Sequence, residues 1–275
     1  MAKRKTDWTE SKFEKYIKEG RGQGEGANYK PWITIQDFPS RGLSTRVAGW
    51  KTNRIHHFLS KLERDFYYLC EWNLNIIDIR EQFPLYREDT LKLADEKGLK
   101  HPVDPKSNVP IVMTTDFLLT VKTDEGIKNV ARTIKPSIDL ERFRVLEKFE
   151  IERHYWSQRN VDWGIITEKE IPKGLVTNIE WLHSAYNFDE QFSSSSYAAL
   201  ASELKHVLQT KEVSIVEILT AFERKWGLEN GLALTLFQYL ICNREIVVDM
   251  EVPLRLEKWA EEVIIRIESL AEGAV

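Results

Sequence analysis

Asp116 lies inside the apolar run Val112-Met-Thr-Thr-Asp-Phe-Leu-Leu119, an expensive place for a carboxylate. Aspartate is depleted in strands because its side chain competes with the backbone ladder and finds little water there. Lys135 closes a second strand-like run, Asn129-Val-Ala-Arg-Thr-Ile-Lys135, directly before Pro136. Adjacent strands would therefore bring a carboxylate and an ammonium to one rim of a sheet. A third charged group, Glu63, sits on a preceding helical stretch that can face the same rim. Two hard carboxylates suit Mg²⁺, which keeps several waters and binds through few protein oxygens plus a substrate phosphate. An ammonium beside them orients water and offsets charge developing on a phosphate. The chemistry outlined is phosphodiester hydrolysis. By spacing alone, Glu63 and Lys135 read more readily as solvated surface charges.

The surrounding elements are read from periodicity and breakers. Thr9 to Glu19 spaces Phe13, Tyr16 and Ile17 as a short amphipathic helix. The run Gly20-Arg-Gly-Gln-Gly-Glu-Gly26 follows, a mobile or ligand-approaching loop that lacks the Gly-Lys-Ser/Thr ending of a phosphate loop. Arg54 to Trp72 reads as one helix with Phe58, Leu59, Leu62, Phe66, Leu69 and Cys70 on a stripe. On it the adjacent His56 and His57 point in different directions, so they are structural or phosphate-facing rather than metal ligands. Strands are expected at Asn75–Phe83, Val109–Val121, Asn129–Lys135 and Trp163–Thr167, with a hairpin turn at Gly126 and a long helix from about Leu140 to Asn160. The result is an α/β sandwich with a mixed sheet. After Pro172 the pattern becomes helical, near Val176–Ser184, Tyr197–Gln209, Ser214–Trp226 and Glu229–Cys242, and ends in a strand at Glu245–Pro253. That order suggests a winged-helix-like unit and a boundary near 168–173, giving domains 1–168 and 169–275.

Composition bounds the function. The chain has 275 residues, 42% of them apolar and 11% aromatic, as in a globular protein with a substantial core. Cys70 and Cys242 have no Cys-x-x-Cys partner, so neither a zinc site nor a disulfide framework is indicated, and a cytoplasmic setting with no membrane partner is expected. The net charge of −4 conceals an asymmetry. Residues 1–60 hold 12 Lys/Arg against 6 Asp/Glu, and residues 170–275 hold 9 against 17. A basic front suits phosphates, and an acidic rear suits a protein partner with a basic segment.

Several blocks resemble the TnsA family of transposition endonucleases in order and spacing. They are Lys18–Gly26, Tyr29-Lys-Pro-Trp-Ile-Thr34, Arg54-Ile-His-His-Phe-Leu-Ser60, Leu62-Glu63, Asp78-Ile-Arg-Glu-Gln-Phe-Pro-Leu85, Thr114-Thr-Asp-Phe-Leu118, Lys135-Pro136, Leu146–Trp156 and Asn178-Ile-Glu-Trp-Leu182. The resemblance implies a restriction-endonuclease-like PD-(D/E)xK domain followed by a mostly helical, winged-helix-like domain. It implies a metal-dependent endonuclease subunit of a heteromeric transposase that cleaves the 5′ strands at transposon ends. By position, Glu63 and Asp116 match the catalytic acids, Lys135 the catalytic lysine and Glu152 a helix acid tied to activity. The implied metal ligands are Glu63, Asp116 and the Ile134 carbonyl, with Mg²⁺ as cofactor and Mn²⁺ as a substitute. The implied partners are transposon-end DNA, the sister transposase TnsB and the AAA+ regulator TnsC. One position departs from the pattern: Thr133 stands where the family has Gln or an acid, and a hydroxyl is a poor direct ligand. The rival readings are a stand-alone nuclease of this fold, an adaptor with weakened activity, and a winged-helix transcription factor. The last would need basic residues in Glu229–Cys242, which has none.

Overall fold

Of the chain, the computed structural model describes residues 7–37, 44–186, 188, 194–210 and 212–268. Lys3, Arg4, Lys5 and Arg41 of the basic front lie outside the described residues, as do Asp189, Glu190, Lys211 and Glu272 of the acidic rear. The chain divides into two units, Met1–Ile171 and Pro172–Val275.

In the first unit, Thr9 accepts the Lys12 N–H through its side chain and so starts helix α1 (Glu10–Lys18). The buried face of α1 joins Trp8, Tyr16, Trp32 and Val112 in an aromatic cluster. Residues 54–58 are not helical: β1 (Thr45–Ala48) and β2 (Ile55–Phe58) form an antiparallel hairpin. Helix α2 begins only at Lys61 and runs to Trp72, with Ser60 as its N-cap. The expected helix over 54–72 fails over residues 54–60 because Ile55 and Phe58 pair with Ala48 and Thr45, a long-range choice that periodicity cannot reveal. Strand β3 (Ile76–Pro84) follows, and then α3 (Arg87–Glu96). The remaining elements of this unit are β4 (Thr114–Thr123), β5 (Gly126–Ile134), α4 (Phe143–Ser157) and β6 (Asp162–Ile166). The sheet order is β3-β4-β5-β6, antiparallel except for the parallel β5/β6 pair, so the mixed α/β sandwich read from the sequence is present.

Leu118 and Ala131 face α4, packing with Ile151, Tyr155 and Trp156. Phe117 faces the other way, with its ring against Phe58 and Phe66 of β2 and α2. This alternation breaks at Gln82 and Asp116. Pairing of β3 with β4 passes from Glu81↔Phe117 to Phe83↔Thr115, leaving Gln82 and Asp116 out of the ladder. Glu81 meets Arg54 and His56 on the hairpin side, whereas Phe83 meets Trp156 on the α4 side. Side chains two apart in a regular strand share a face, so both strands change face here. Gln82 carries the distortion, with φ at +49°.

Edge strand β3 is covered by the glycine-rich segment, which is docked rather than loose. Gly26 N–H donates to Asp78 Oδ1 at 3.2 Å, Tyr29 Oη donates to the Glu81 carbonyl at 3.1 Å, and Trp32 N–H donates to the Gln82 carbonyl at 3.2 Å. Covering an edge in this way satisfies its backbone groups and blocks pairing with other strands. Behind it lies a buried ionic group. Arg54 Nη1 donates to Glu81 Oε1 at 2.8 Å, and His56 bridges Glu81 Oε2 at 2.8 Å and Thr52 Oγ1 at 2.7 Å. Burial would raise the Glu81 carboxyl, but His56 and Arg54 outweigh it and hold it well below the carboxylate range. His56 is thus structural, and both histidines sit on a strand rather than a helix.

The second unit holds α5 (Lys173–Leu182), α6 (Ser194–Thr210), α7 (Ile215–Trp226) and α8 (Leu232–Cys242), close to the expected helices. A Ser214/Glu217 capping box starts α7, and its stripe of Ile215, Ile218, Leu219 and Phe222 is buried. The expected strand is shorter, β7 (Ile246–Val248), and pairs antiparallel with β8 (Ile264–Ile267) after the helical turn α9 (Ala260–Val263). Both cysteines are free and buried, and burial pushes the Cys242 thiol up to about 12. Among the described residues, no helix is long and apolar enough to cross a membrane.

The docked glycine segment makes a direct prediction. Gly22 has φ +77°, and a Cβ there would stand 2.2 Å from Pro84 Cγ; Gly26 has φ +52° but open space around it. Gly22→Ala is expected to cost about 1–3 kcal/mol in urea unfolding, more than Gly26→Ala. Equal losses would show that contact with Pro84 does not matter.

Candidate active site

Helix α2 and strand β4 deliver the two acids. Glu63 is the third residue of α2, where exchange with the Ser60 N-cap and the Leu59 backbone fixes it. Its N–H donates to Ser60 Oγ at 3.1 Å, Ser60 Oγ donates back to Oε1 at 2.8 Å, and Leu59 N–H donates to Oε2 at 3.0 Å. Asp116 lies where β4 leaves its ladder with β3, and pairing with β5 also ends just before it, at Phe117↔Arg132. In place of a ladder bond, Ile134 N–H donates to Asp116 Oδ2 at 2.7 Å. Between the acids stands Gln82, whose Nε2 lies 3.4 Å from Glu63 Oε2 and 3.2 Å from Asp116 Oδ1. The sheet rim therefore gathers two carboxylates around one side-chain amide.

Both carboxyls are raised above the ordinary carboxylate range. For Glu63 the cause is burial and then the charge of Asp116, only partly offset by the Leu59, Ser60 and Gln82 donors. For Asp116 it is sparse solvation, relieved by Ile134 N–H and opposed again by the nearby Glu152 charge. Two like charges in little water disfavour joint ionisation, and a cation between them removes that penalty.

Lys135 follows Ile134 directly, and its N–H donates to the Ile166 carbonyl at 2.9 Å, which anchors the backbone beside β6. Its Nζ is 3.8 Å from Asp139 Oδ2 and half-exposed, and its positive charge lowers the Asp116 carboxyl. Glu152 is placed differently. It is buried on α4 at 3% exposure, beneath the rim, and accepts from Thr115 Oγ1 at 2.7 Å and from the Thr133 hydroxyl. Burial raises its carboxyl, those two hydroxyls opposing the shift. Thr115 also accepts from Trp156 Nε1 at 2.7 Å. Glu152 thus ties α4 to the strands bearing Asp116 and Ile134, and the Thr133 hydroxyl is turned toward it. Lys148 stands one helical turn before Glu152. Partial desolvation, with Arg144 and Lys135 adding, lowers its ammonium.

Glu63, Asp116 and Ile134 are therefore brought together, with Lys135 alongside and Glu152 one layer below. Among the described residues, no group of three or more His, Cys, Asp or Glu side chains converges on a cation position. Gln82 is the member that sequence reasoning passed over. Its signal was a polar residue in the strand block Asp78–Leu85, between Glu81 and Phe83.

Acids and a lysine on the rim of a mixed sheet are groups a nuclease can use, and comparison with known proteins gives that class. A family described as "TnsA-like endonuclease N terminal" matches residues 73–168, and one described as "TnsA endonuclease C terminal" matches residues 170–250. The chain is 40% identical over 273 residues to the transposon Tn7 transposition protein TnsA of Escherichia coli, covering 99% of this chain and 98% of that relative. It belongs to the TnsA family and is an endonuclease subunit of a transposase.

The paired acids predict a pH signature. A carboxyl raised in the folded state adds stability that is complete below its unfolded pKa and is lost as pH rises through the folded value. With divalent cations chelated, Asp116→Asn is expected to be more stable than the natural chain by about 1 kcal/mol at slightly alkaline pH. The advantage should shrink as pH falls into the carboxylate range, and urea titrations giving a pH-independent difference would remove the like-charge account.

Proposed function

We propose that this chain is the metal-dependent endonuclease that cuts the 5′ strands at the ends of a transposon. The observation that carries the reading is the pair Glu63 and Asp116, held within reach of one amide beside Lys135. The donor set is all oxygen, with Glu63 buried and Asp116 partly so, and is short of compensating charge, which fits Mg²⁺ or Mn²⁺. Glu63, Asp116 and the Ile134 carbonyl would hold the ion. That carbonyl points to the same side of its strand as the N–H given to Asp116. When bound, the ion supplies Lewis-acid polarisation of a phosphate oxygen and a more acidic water. Lys135 orients the water for in-line attack on phosphorus and stabilises charge on the phosphate oxygens. Lys148 carries this positive charge on to α4 and suits a neighbouring phosphate, whereas Arg144 is paired with Glu147 at 2.8 Å. Hydrolysis adds water across one P–O bond, leaving a phosphate on one strand end and a hydroxyl on the other. Glu152 acts by keeping α4 and the two strands in register.

A cleavage assay resolving the two strands of transposon-end DNA, with and without Mg²⁺ and the sister transposase, tests the reading. Glu63→Gln and Asp116→Asn are expected to abolish cutting in folded protein. Lys135→Ala should slow it by about a hundredfold or more. Near-normal cutting by either acid variant would remove that residue from the site, and cutting confined to the 3′ strands would refute the assigned role.

We assign the second unit to partner binding. The helices α6 to α8 followed by the β7/β8 pair support a winged-helix-like module, yet α8 reads Leu-Ala-Leu-Thr-Leu-Phe-Gln-Tyr-Leu-Ile-Cys, with no cation to meet phosphate. The excess of Asp and Glu over residues 170–275 suits a basic segment of the AAA+ regulator TnsC, with the sister transposase TnsB as the alternative. When the chain is divided between Ile171 and Pro172, salt-sensitive DNA binding should follow the first fragment and regulator binding the second. Salt-sensitive DNA binding by the second fragment alone would reverse the assignment.

A further inference from the structure

Gln82 is held more firmly than a passive spacer requires. Its φ of +49° lies in the left-handed region, where a side chain other than glycine is strained and persists only if its surroundings over-determine it. Those surroundings are specific. Trp32 N–H donates to its carbonyl at 3.2 Å, Thr114 Oγ1 donates to its Oε1 at 3.3 Å, and its Nε2 spans Glu63 and Asp116. Two carboxylates and one carbonyl leave coordination positions on a divalent ion open to water or to a further oxygen. Thr133, the neighbouring polar side chain on β5, has given its hydroxyl to Glu152.

The two ends of a carboxamide are nearly the same size, one a donor and the other an acceptor. A hydroxyl both donates and accepts, so Thr114 satisfies either end. Turning the Gln82 amide over would let Nε2 donate to Thr114 Oγ1 and place Oε1 between the two acids. Without a cation that arrangement sets three oxygens against one another, which favours the observed orientation. With a cation between the acids, the oxygen becomes attractive and the amide hydrogens repulsive. We propose that Gln82 is a third side-chain oxygen ligand of the divalent-cation site. Its amide serves as a donor clamp in the cation-free protein and turns over when the ion binds. The proposal rests on the reading that Glu63 and Asp116 hold a cation.

The test is Mn²⁺ binding to the full-length chain without DNA, by isothermal titration calorimetry, so that no catalytic step enters. Gln82→Met keeps the length of the side chain and removes the oxygen, and should weaken Mn²⁺ binding by about tenfold to a hundredfold. Gln82→Glu adds charge to the oxygen and should bind Mn²⁺ more tightly than the natural chain near neutral pH. A folded Gln82→Met protein with unchanged affinity overturns the proposal. If that variant does not fold, Gln82→Glu decides, and binding no tighter than the natural chain overturns it equally. Asp116→Asn separates the two ideas. If it binds Mn²⁺ as the natural chain does, the cation reading itself falls and the Gln82 inference falls with it; if only Gln82→Met is unaffected, Gln82 alone leaves the ligand set.

Discussion

Two carboxylates kept close together with little water around them form the constraint on which the first unit depends. Neither acid is stable there unaided, and the neighbouring structure is arranged to supply donors. Glu63 receives a backbone N–H, a serine hydroxyl and an amide, and Asp116 receives a backbone N–H and the same amide. These contacts orient the oxygens yet leave both carboxyls raised, so the charge is incompletely compensated. A site in that condition has free energy to gain from binding a cation.

The cost of the arrangement falls on the sheet. A regular ladder through Gln82 and Asp116 would pair their backbones and point their side chains alternately into packed faces. The ladder opens instead, Gln82 takes a left-handed backbone, and the Asp116 carboxylate accepts the Ile134 N–H. Buried groups on either side hold the opening in place. On one face Glu81 locks β3 to the β1/β2 hairpin through Arg54 and His56. On the other, Glu152 draws Thr115 and Thr133 to α4. For the Glu81 ion pair with Arg54, loss of a partner leaves an uncompensated charge and typically costs about 3–5 kcal/mol. The glycine segment completes the support from the edge, since its close approach to Pro84 is possible only without a side chain at Gly22.

The second unit follows simpler rules. Its helices are amphipathic or apolar, begin at recognisable caps such as Ser214, and end at turn residues such as Gly227 with φ +63°. No chemistry-bearing residue was singled out there, and its character is carried by an apolar interior and an acidic composition.

Local signals were sufficient for much of this protein. The strands of the sheet, the helices α1 and α4 to α8, the division near residue 170, and the candidates Glu63, Asp116 and Lys135 follow from periodicity, caps, breakers and motif blocks, because those signals are written within a few residues of one another; Glu152 came from the family resemblance alone. Tertiary structure decided the rest. The β1/β2 hairpin replaced the start of the expected helix, residues 54–60, because its partners lie about ten residues away, beyond the reach of a helical pattern. Glu152 was a candidate by position, but only packing set it below the rim, joined to Thr115 and Thr133 rather than to the open acids. Gln82 looked like an ordinary polar residue in a strand. Its placement between Glu63 and Asp116 depends on three segments meeting where a ladder fails, and a long-range mismatch of that kind leaves no local trace in the sequence.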